Sequence, residues 1–184
     1  FSFEDANSYW HSGKDLSFWL DHGFTQSDLN FYMPPPIERI LETKVERHFF
    51  SYYKNWRPQE HYYYAAENTG FQANPEGRSE GTYSKYASLD DKIDSFHYYF
   101  MLLKFGIGRA TSDAAHEIRE GVILREEAVQ LVRRYDTEFP EKNFKVFLDY
   151  CEFTDEEFWA ICERWRNLNL WEKKEGEWVL KYQV

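Results

Sequence analysis

Three short stretches hold residues whose types and spacing could do chemistry. Residues 78–92 carry the cations Arg78, Lys85 and Lys92 beside the hydroxyls of Ser79, Thr82, Ser84 and Ser88. Gly77 and Gly81 let the backbone there approach a ligand closely. Cations and hydroxyls on such a loop suit an anionic group, a phosphate or a sugar nucleotide. They equally suit a solvated surface loop that ends in a helix cap at Ser88. Asp90, Asp91 and Asp94 follow; acids at a helix start offset its dipole, or hold a metal bound to phosphates. In the third stretch Asp113 and His116 are three residues apart and share a helix face, with Arg109 one turn earlier. That trio fits a general acid–base pair or a polar network bracing the start of a helix.

Other chemistries have less support. Gly106-Ile-Gly108 has no strand before it and no third glycine, so it is no dinucleotide loop. His11, His22, His48 and His61 are scattered and suggest no metal site, and His97, among aromatics, is expected in the core. Cys151 and Cys162 are too few for a disulfide framework, lack metal spacing, and are expected to pack inside helices. The net charge of −10 disfavours a nucleic-acid-binding surface, which needs clustered cations. No apolar run approaches the roughly 20 residues of a membrane span. A reduced, cytoplasmic setting is the expectation. The chain opens at Phe1, not Met, so upstream sequence is expected to be missing.

Positioning these residues falls to a mainly helical framework. With 42% hydrophobic and 29% charged residues, a packed core is expected over disorder. Residues 5–20 read as two short helices broken at Gly13. Thr25 and Asp28 form a capping box for another, Pro34-Pro-Pro36 ends it, and a further helix covers 37–44. Residues 45–53, β-branched and aromatic, are the best strand candidate, as the last strand of a sheet whose partners lie upstream. Pro58 opens a helix to about Asn68, and Gly70 stops it. Residues 71–88 form a long loop of the functional kind. Ser88 is read as the cap of a helix to Phe105, with Ile93, Phe96, Phe100 and Leu103 on one face and Gly106 as its C-cap. Helices follow from Thr111 or Ser112 to Glu120, over 125–135 and 140–150, and after the Thr154/Glu157 capping box through Arg166. Residues 170–182 alternate around Gly176 as a hairpin. Trp159, Trp165 and Trp171 are read as exposed.

Three long runs carry a resemblance: YYYAAENTGF at 62–71, EGTYSKYASLDDK at 80–92 and KFGIGRATSDAAHEIR at 104–119. Together they resemble the N-acetyl sugar amidotransferase family, strongest over 62–135, a branch of the PP-loop ATP pyrophosphatases. The S-G-G-x-D-S loop of that family's α/β (HUP-like) domain is not in this sequence, nor is its Cys-rich N-terminal segment. The resemblance therefore implies a C-terminal part. Residues 1–60 would end the nucleotide-binding domain, 61–92 would form a helix and substrate-side loop, and 93–184 a helical cap with hairpin. Leu124 stands where relatives tend to have a capping Thr; it cannot cap.

The resemblance implies an enzyme of bacterial lipopolysaccharide or nonulosonic-acid synthesis that converts a sugar N-acetyl group to acetamidino. ATP with magnesium, bound mainly by the upstream region, would adenylate the acetamido oxygen, and ammonia from a glutaminase partner would displace AMP. On this expectation Arg78 and Lys85, with Ser84, complete the anion site and stabilise developing charge. Ser79, Thr82, Tyr83, Ser84, Lys92, Arg109, Asp113 and His116 bind the sugar or nucleotide-sugar. No nucleic acid, membrane span or protein-held metal is expected. Two other functions remain open: a helical module that docks the glutaminase or a pathway partner through exposed tryptophans, and a structural domain without a ligand.

Overall fold

A computed structural model describes residues 13–33, 35–44, 46 and 48–184. The chain divides into two compact units, Phe1–Asn55 and Trp56–Val184.

The first unit holds short elements. Helix α1 (Leu16–Asp21) is capped by the Asp15 carboxylate, which accepts the Phe18 N–H at 3.1 Å. Helix α2 (Gln26–Leu29) starts at the expected capping box between Thr25 and Asp28, and α3 spans Ile37–Thr43. Residues 5–12, part of the first expected helix pair, lie outside the described residues. The strand expected over 45–53 is corrected: Phe50–Tyr52 is a 3-10 turn, and Val45 and Arg47 are outside the described residues. A β-rich composition without a partner strand leaves its ladder groups unpaired, and a turn bonds them locally.

The second unit is mainly helical. Helix α4 (Pro58–Asn68) has Pro58 in its first turn. Helix α5 is Asp94–Phe105 and ends at Gly106, whose φ of +70° directs its N–H to the Leu102 carbonyl at 2.8 Å. It starts five residues later than expected. Ser88 sits at φ +54° and bonds the Asp94 side chain, so it closes a turn rather than capping a helix. Helix α6 is Arg109–Arg119, α7 Arg125–Tyr135. Leu124 indeed makes no side-chain cap. A 3-10 turn at Glu141–Asn143 leads into α8 (Phe144–Cys151), and the Thr154/Glu157 box opens α9 (Asp155–Trp165). Strands β1 (Trp171–Lys174) and β2 (Glu177–Leu180) pair antiparallel across a two-residue turn in which Glu175 and Gly176 both have positive φ. That is the turn whose twist suits a tight hairpin.

The main core joins α5, α8, α9 and β1. Phe96 stacks on Phe147 at 4.2 Å, and Phe158 meets Phe144 at 4.9 Å, all without solvent-facing gaps at Phe96 and Phe158. Leu103 and Cys162 complete it, and burial pushes the Cys162 thiol up to about 12. Trp171, expected on the surface, is buried and donates its indole N–H to the Leu103 carbonyl at 3.1 Å; Trp159 and Trp165 are exposed. His97, expected in the core, is exposed, because the face of α5 set by Phe96, Phe100 and Leu103 turns position 97 outward. A second, smaller cluster of Ala114, Ala128 and Val132 packs α6 on α7. Small residues there let the two backbones approach closely.

Candidate functional site

The loop over 78–87 is fastened along the α6–α7 pair and to Glu138 just beyond it. Glu138, just beyond α7, takes two N–H groups of Arg78 at 2.6 and 2.7 Å and the Gly81 N–H at 3.0 Å. Arg78 also donates to the Thr82 carbonyl at 3.2 Å and lies 4.4 Å from the Tyr135 ring centre. The Gly81 carbonyl accepts the Ala110 N–H at 2.9 Å. The buried Thr82 hydroxyl donates to Asp113 at 2.7 Å and accepts the Ser84 N–H at 3.0 Å.

The start of α6 is set by a residue that the sequence did not nominate. Buried Asp136 accepts from the Gly108 N–H at 3.0 Å and from the Thr111 N–H and hydroxyl, both at 2.8 Å. A carboxylate supplied from the end of α7 thus satisfies first-turn donors, which begins α6 at Arg109 rather than at Thr111 or Ser112. The approach needs glycine: a Cβ on Gly108 would stand 2.6 Å from the Asp136 carboxylate.

Between this loop and α6 lies a cleft of about 380 Å³. Its aromatic walls are Trp56, Tyr83, Tyr86 and Tyr98. Tyr86 stacks on Tyr62 at 4.6 Å and 11° and donates its hydroxyl to Gln59 at 3.1 Å, so its ring is held edge and face. The polar lining comes from one face of α6, where Arg109, Asp113, His116 and Glu117 fall at helical spacing, with Ser84 and Ser112 beside them. The Arg109 Nε–H meets both Asp113 oxygens at 3.0 and 3.2 Å, its Nη1 bonds the Tyr98 hydroxyl, and the guanidinium lies over the Tyr98 ring. Tyr83 donates to Glu117 at 3.0 Å. Burial, with Asp113 and Glu127 nearby, raises the Glu117 carboxyl above its ordinary range. Burial and Glu117 together raise the Tyr83 phenol, so it remains a proton donor across the physiological range.

Chemically this cleft offers flat apolar faces, two carboxylate acceptors, one ion-paired guanidinium, an imidazole and two hydroxyls. Sugar hydroxyls match the carboxylates, and the C–H face of a pyranose matches the rings. A polyphosphate matches poorly, since Arg109 is already neutralised by Asp113 and Glu117 adds further negative charge.

Of the expected residues, Tyr83, Ser84, Arg109, Asp113 and His116 line this cleft, and Thr82 reaches it through Asp113. Asp113 gives its oxygens to Arg109 and Thr82, not to His116. Arg78, Ser79 and Lys92 are elsewhere, on a second cleft of about 370 Å³ shared with Glu76 and Lys142. Lys85 is exposed on the loop between two cleft residues. Asp91 accepts the Ile93 N–H at 2.8 Å and Asp94 lies in the first turn of α5, the helix-start role of acids. Among the described residues no three His, Cys, Asp or Glu side chains converge to hold a metal ion. Trp56, Tyr86, Tyr98 and Glu117 were missed. Glu117 had a signal, four residues after Asp113; the three aromatics looked like any others in an aromatic-rich chain.

The family model described as "LPS biosynthesis protein WbpG-like, C-terminal domain" matches residues 80–184. No curated protein matches the chain. The match spans more than half of the sequence, and the chain belongs to this family of lipopolysaccharide biosynthesis proteins.

Proposed function

We propose that this member of the WbpG-like family forms the sugar-holding part of an N-acetyl sugar amidotransferase in lipopolysaccharide synthesis. The overall reaction converts a sugar N-acetyl group to acetamidino, with ATP and magnesium bound outside the described residues and ammonia supplied by a glutaminase partner in the cytoplasm. The observation that carries this reading is the cleft over α6, with Trp56, Tyr86 and Tyr98 as walls and Asp113 and Glu117 as hydroxyl acceptors. Arg78 acts as a positioning residue, since its bonds to Glu138 and Thr82 fix the loop that carries Tyr83 and Ser84. Lys85, whose ammonium has no partner among the described residues, is proposed to face the anionic reactant.

Kinetics of the whole enzyme test this division. Trp56→Ala and His116→Ala alter exposed cleft residues and are expected to raise KM for the sugar about tenfold, the equivalent of roughly 1.4 kcal/mol. Lys85→Ala is expected to lower kcat by a factor of roughly 10² and leave the sugar KM unchanged. Unchanged sugar KM in both cleft variants would remove the sugar from this cleft. A docking role is separately supported by exposed Trp165. Trp165→Ala should then slow glutamine-driven but not ammonia-driven turnover; equal effects on both would discard that role.

A further inference from the structure

Arg166, at the end of α9, is buried to 6% side-chain exposure. Its Nε is, among the described residues, the one buried side-chain nitrogen or oxygen without a hydrogen-bond partner. The guanidinium carbon lies 5.0 Å from the Trp171 ring centre and 4.8 Å from that of Trp178. Its acidic neighbour is Glu163, whose Oε1 is 3.4 Å from Nη2 and also accepts the Trp178 indole N–H at 2.8 Å. Glu163 is half exposed, and Lys173 adds positive charge on the Trp178 ring at 4.9 Å. A buried cation is thus held by two indoles, the Tyr99 hydroxyl and one long contact to a shared carboxylate.

Arg166 lines a cavity of about 340 Å³ between α5, α9 and the hairpin, with Tyr99, Trp171 and Trp178; Thr137 and Gln183 stand exposed at its rim. The Nε and Nη2 hydrogens form the edge of a guanidinium that binds two oxygens of one anion side by side. Here Nε has no hydrogen-bond partner, and Nη2 meets the Glu163 carboxylate at 3.4 Å. Burial away from water makes such an unpaired charged donor costly, so an acceptor that fills the edge binds with that cost relieved. The hydroxyl of Thr137 and the amide of Gln183 can donate to outer oxygens.

We propose that this pocket binds a compact oxyanion, a phosphoryl or carboxylate group, on the Nε/Nη2 edge of Arg166. The site shares no residue with the sugar cleft and does not depend on its assignment.

The test uses the whole 184-residue chain, ¹⁵N-labelled, titrated with inorganic phosphate and, separately, acetate at constant ionic strength set with chloride. The Arg166 Nε–H resonance and the Trp171 and Trp178 indole resonances are followed. The expected result is saturable movement of all three with a Kd on the order of 1 mM. Saturation by phosphate alone defines a phosphoryl site, by acetate alone a carboxylate site, and by both a general oxyanion site. Arg166→Lys should weaken binding about tenfold. Gln183→Ala, at the exposed rim, should weaken it several-fold with the spectrum otherwise unchanged, which keeps the test decisive if the arginine variant does not fold. No saturable movement with either anion, or an affinity indifferent to Gln183→Ala, overturns the proposal.

Discussion

The two units of the chain are both rich in aromatic residues and differ in what they do with them. Among the described residues of Phe1–Asn55, Leu29 alone is a buried hydrophobic residue, while Phe31 is 95% and Tyr52 87% exposed. In Trp56–Val184, Phe96 and Phe158 are 0% exposed, ringed by other aromatics. Composition is similar; the difference is helix length. Helices α1 to α3 have six, four and seven residues, too short to give a continuous apolar stripe, whereas α5 and α9 have twelve and eleven. Aromatic content builds a core only where long helices align it.

That contrast can be broken first by truncating its most buried member. Phe96→Ala removes a ring stacked on Phe147 and edge-on to Phe158, and is expected to cost about 3–5 kcal/mol in a urea melt. Leu29→Ala, at the end of a four-residue helix, is expected to cost about 2 kcal/mol or less by the same measurement. Equal losses would abolish the distinction between the units.

The next effect sharpens the contrast inside the second unit, where polar groups also hold the frame. Asp136→Ala leaves the Gly108 and Thr111 donors without their carboxylate and is expected to cost about 2–3 kcal/mol, read by thermal unfolding, with faster amide exchange at the start of α6. Full stability in that variant would show that α6 starts on its own sequence.

The smallest effect concerns the cleft. The folded protein holds the raised Glu117 carboxyl proton to higher pH than the unfolded chain does. The associated stability is complete below the ordinary glutamate value of 4.5 and declines as pH rises through the folded value. Glu117→Gln keeps an acceptor for Tyr83 and removes that decline, so stability measured at pH 4.5 and at pH 7 should differ less than in the parent, by under about 1 kcal/mol after solvent screening. A steeper dependence in the variant would reverse the sign argued here.

Much of this frame was legible in the residues themselves. Local signals held where they acted alone: the Thr25/Asp28 and Thr154/Glu157 boxes, Pro58, Gly106 and the Gly176 hairpin all stand where their chemistry places them. Local signals failed where another residue competed for the same group. Asp136 starts α6 before Thr111 could, and Ser88 turns toward Asp94 without opening a helix. In the cleft, charge and helical spacing brought Arg109, Asp113 and His116 together on paper and in space. The same reasoning could not separate Arg78, whose partner Glu138 lies sixty residues away, from a free cation. Nor could it choose Trp56 and Tyr98 from a chain in which aromatics are 20% of the residues.

The proposed sugar-binding role of the cleft over α6 is tested most directly by saturation-transfer NMR on this chain with UDP-N-acetylglucosamine and with ATP as separate probes. Signal transfer is expected to the sugar-ring and N-acetyl protons, weakened about tenfold in affinity by Trp56→Ala, with little transfer to ATP. Transfer to ATP that exceeds transfer to the sugar, or sugar binding indifferent to Trp56→Ala, would contradict the assignment of the cleft.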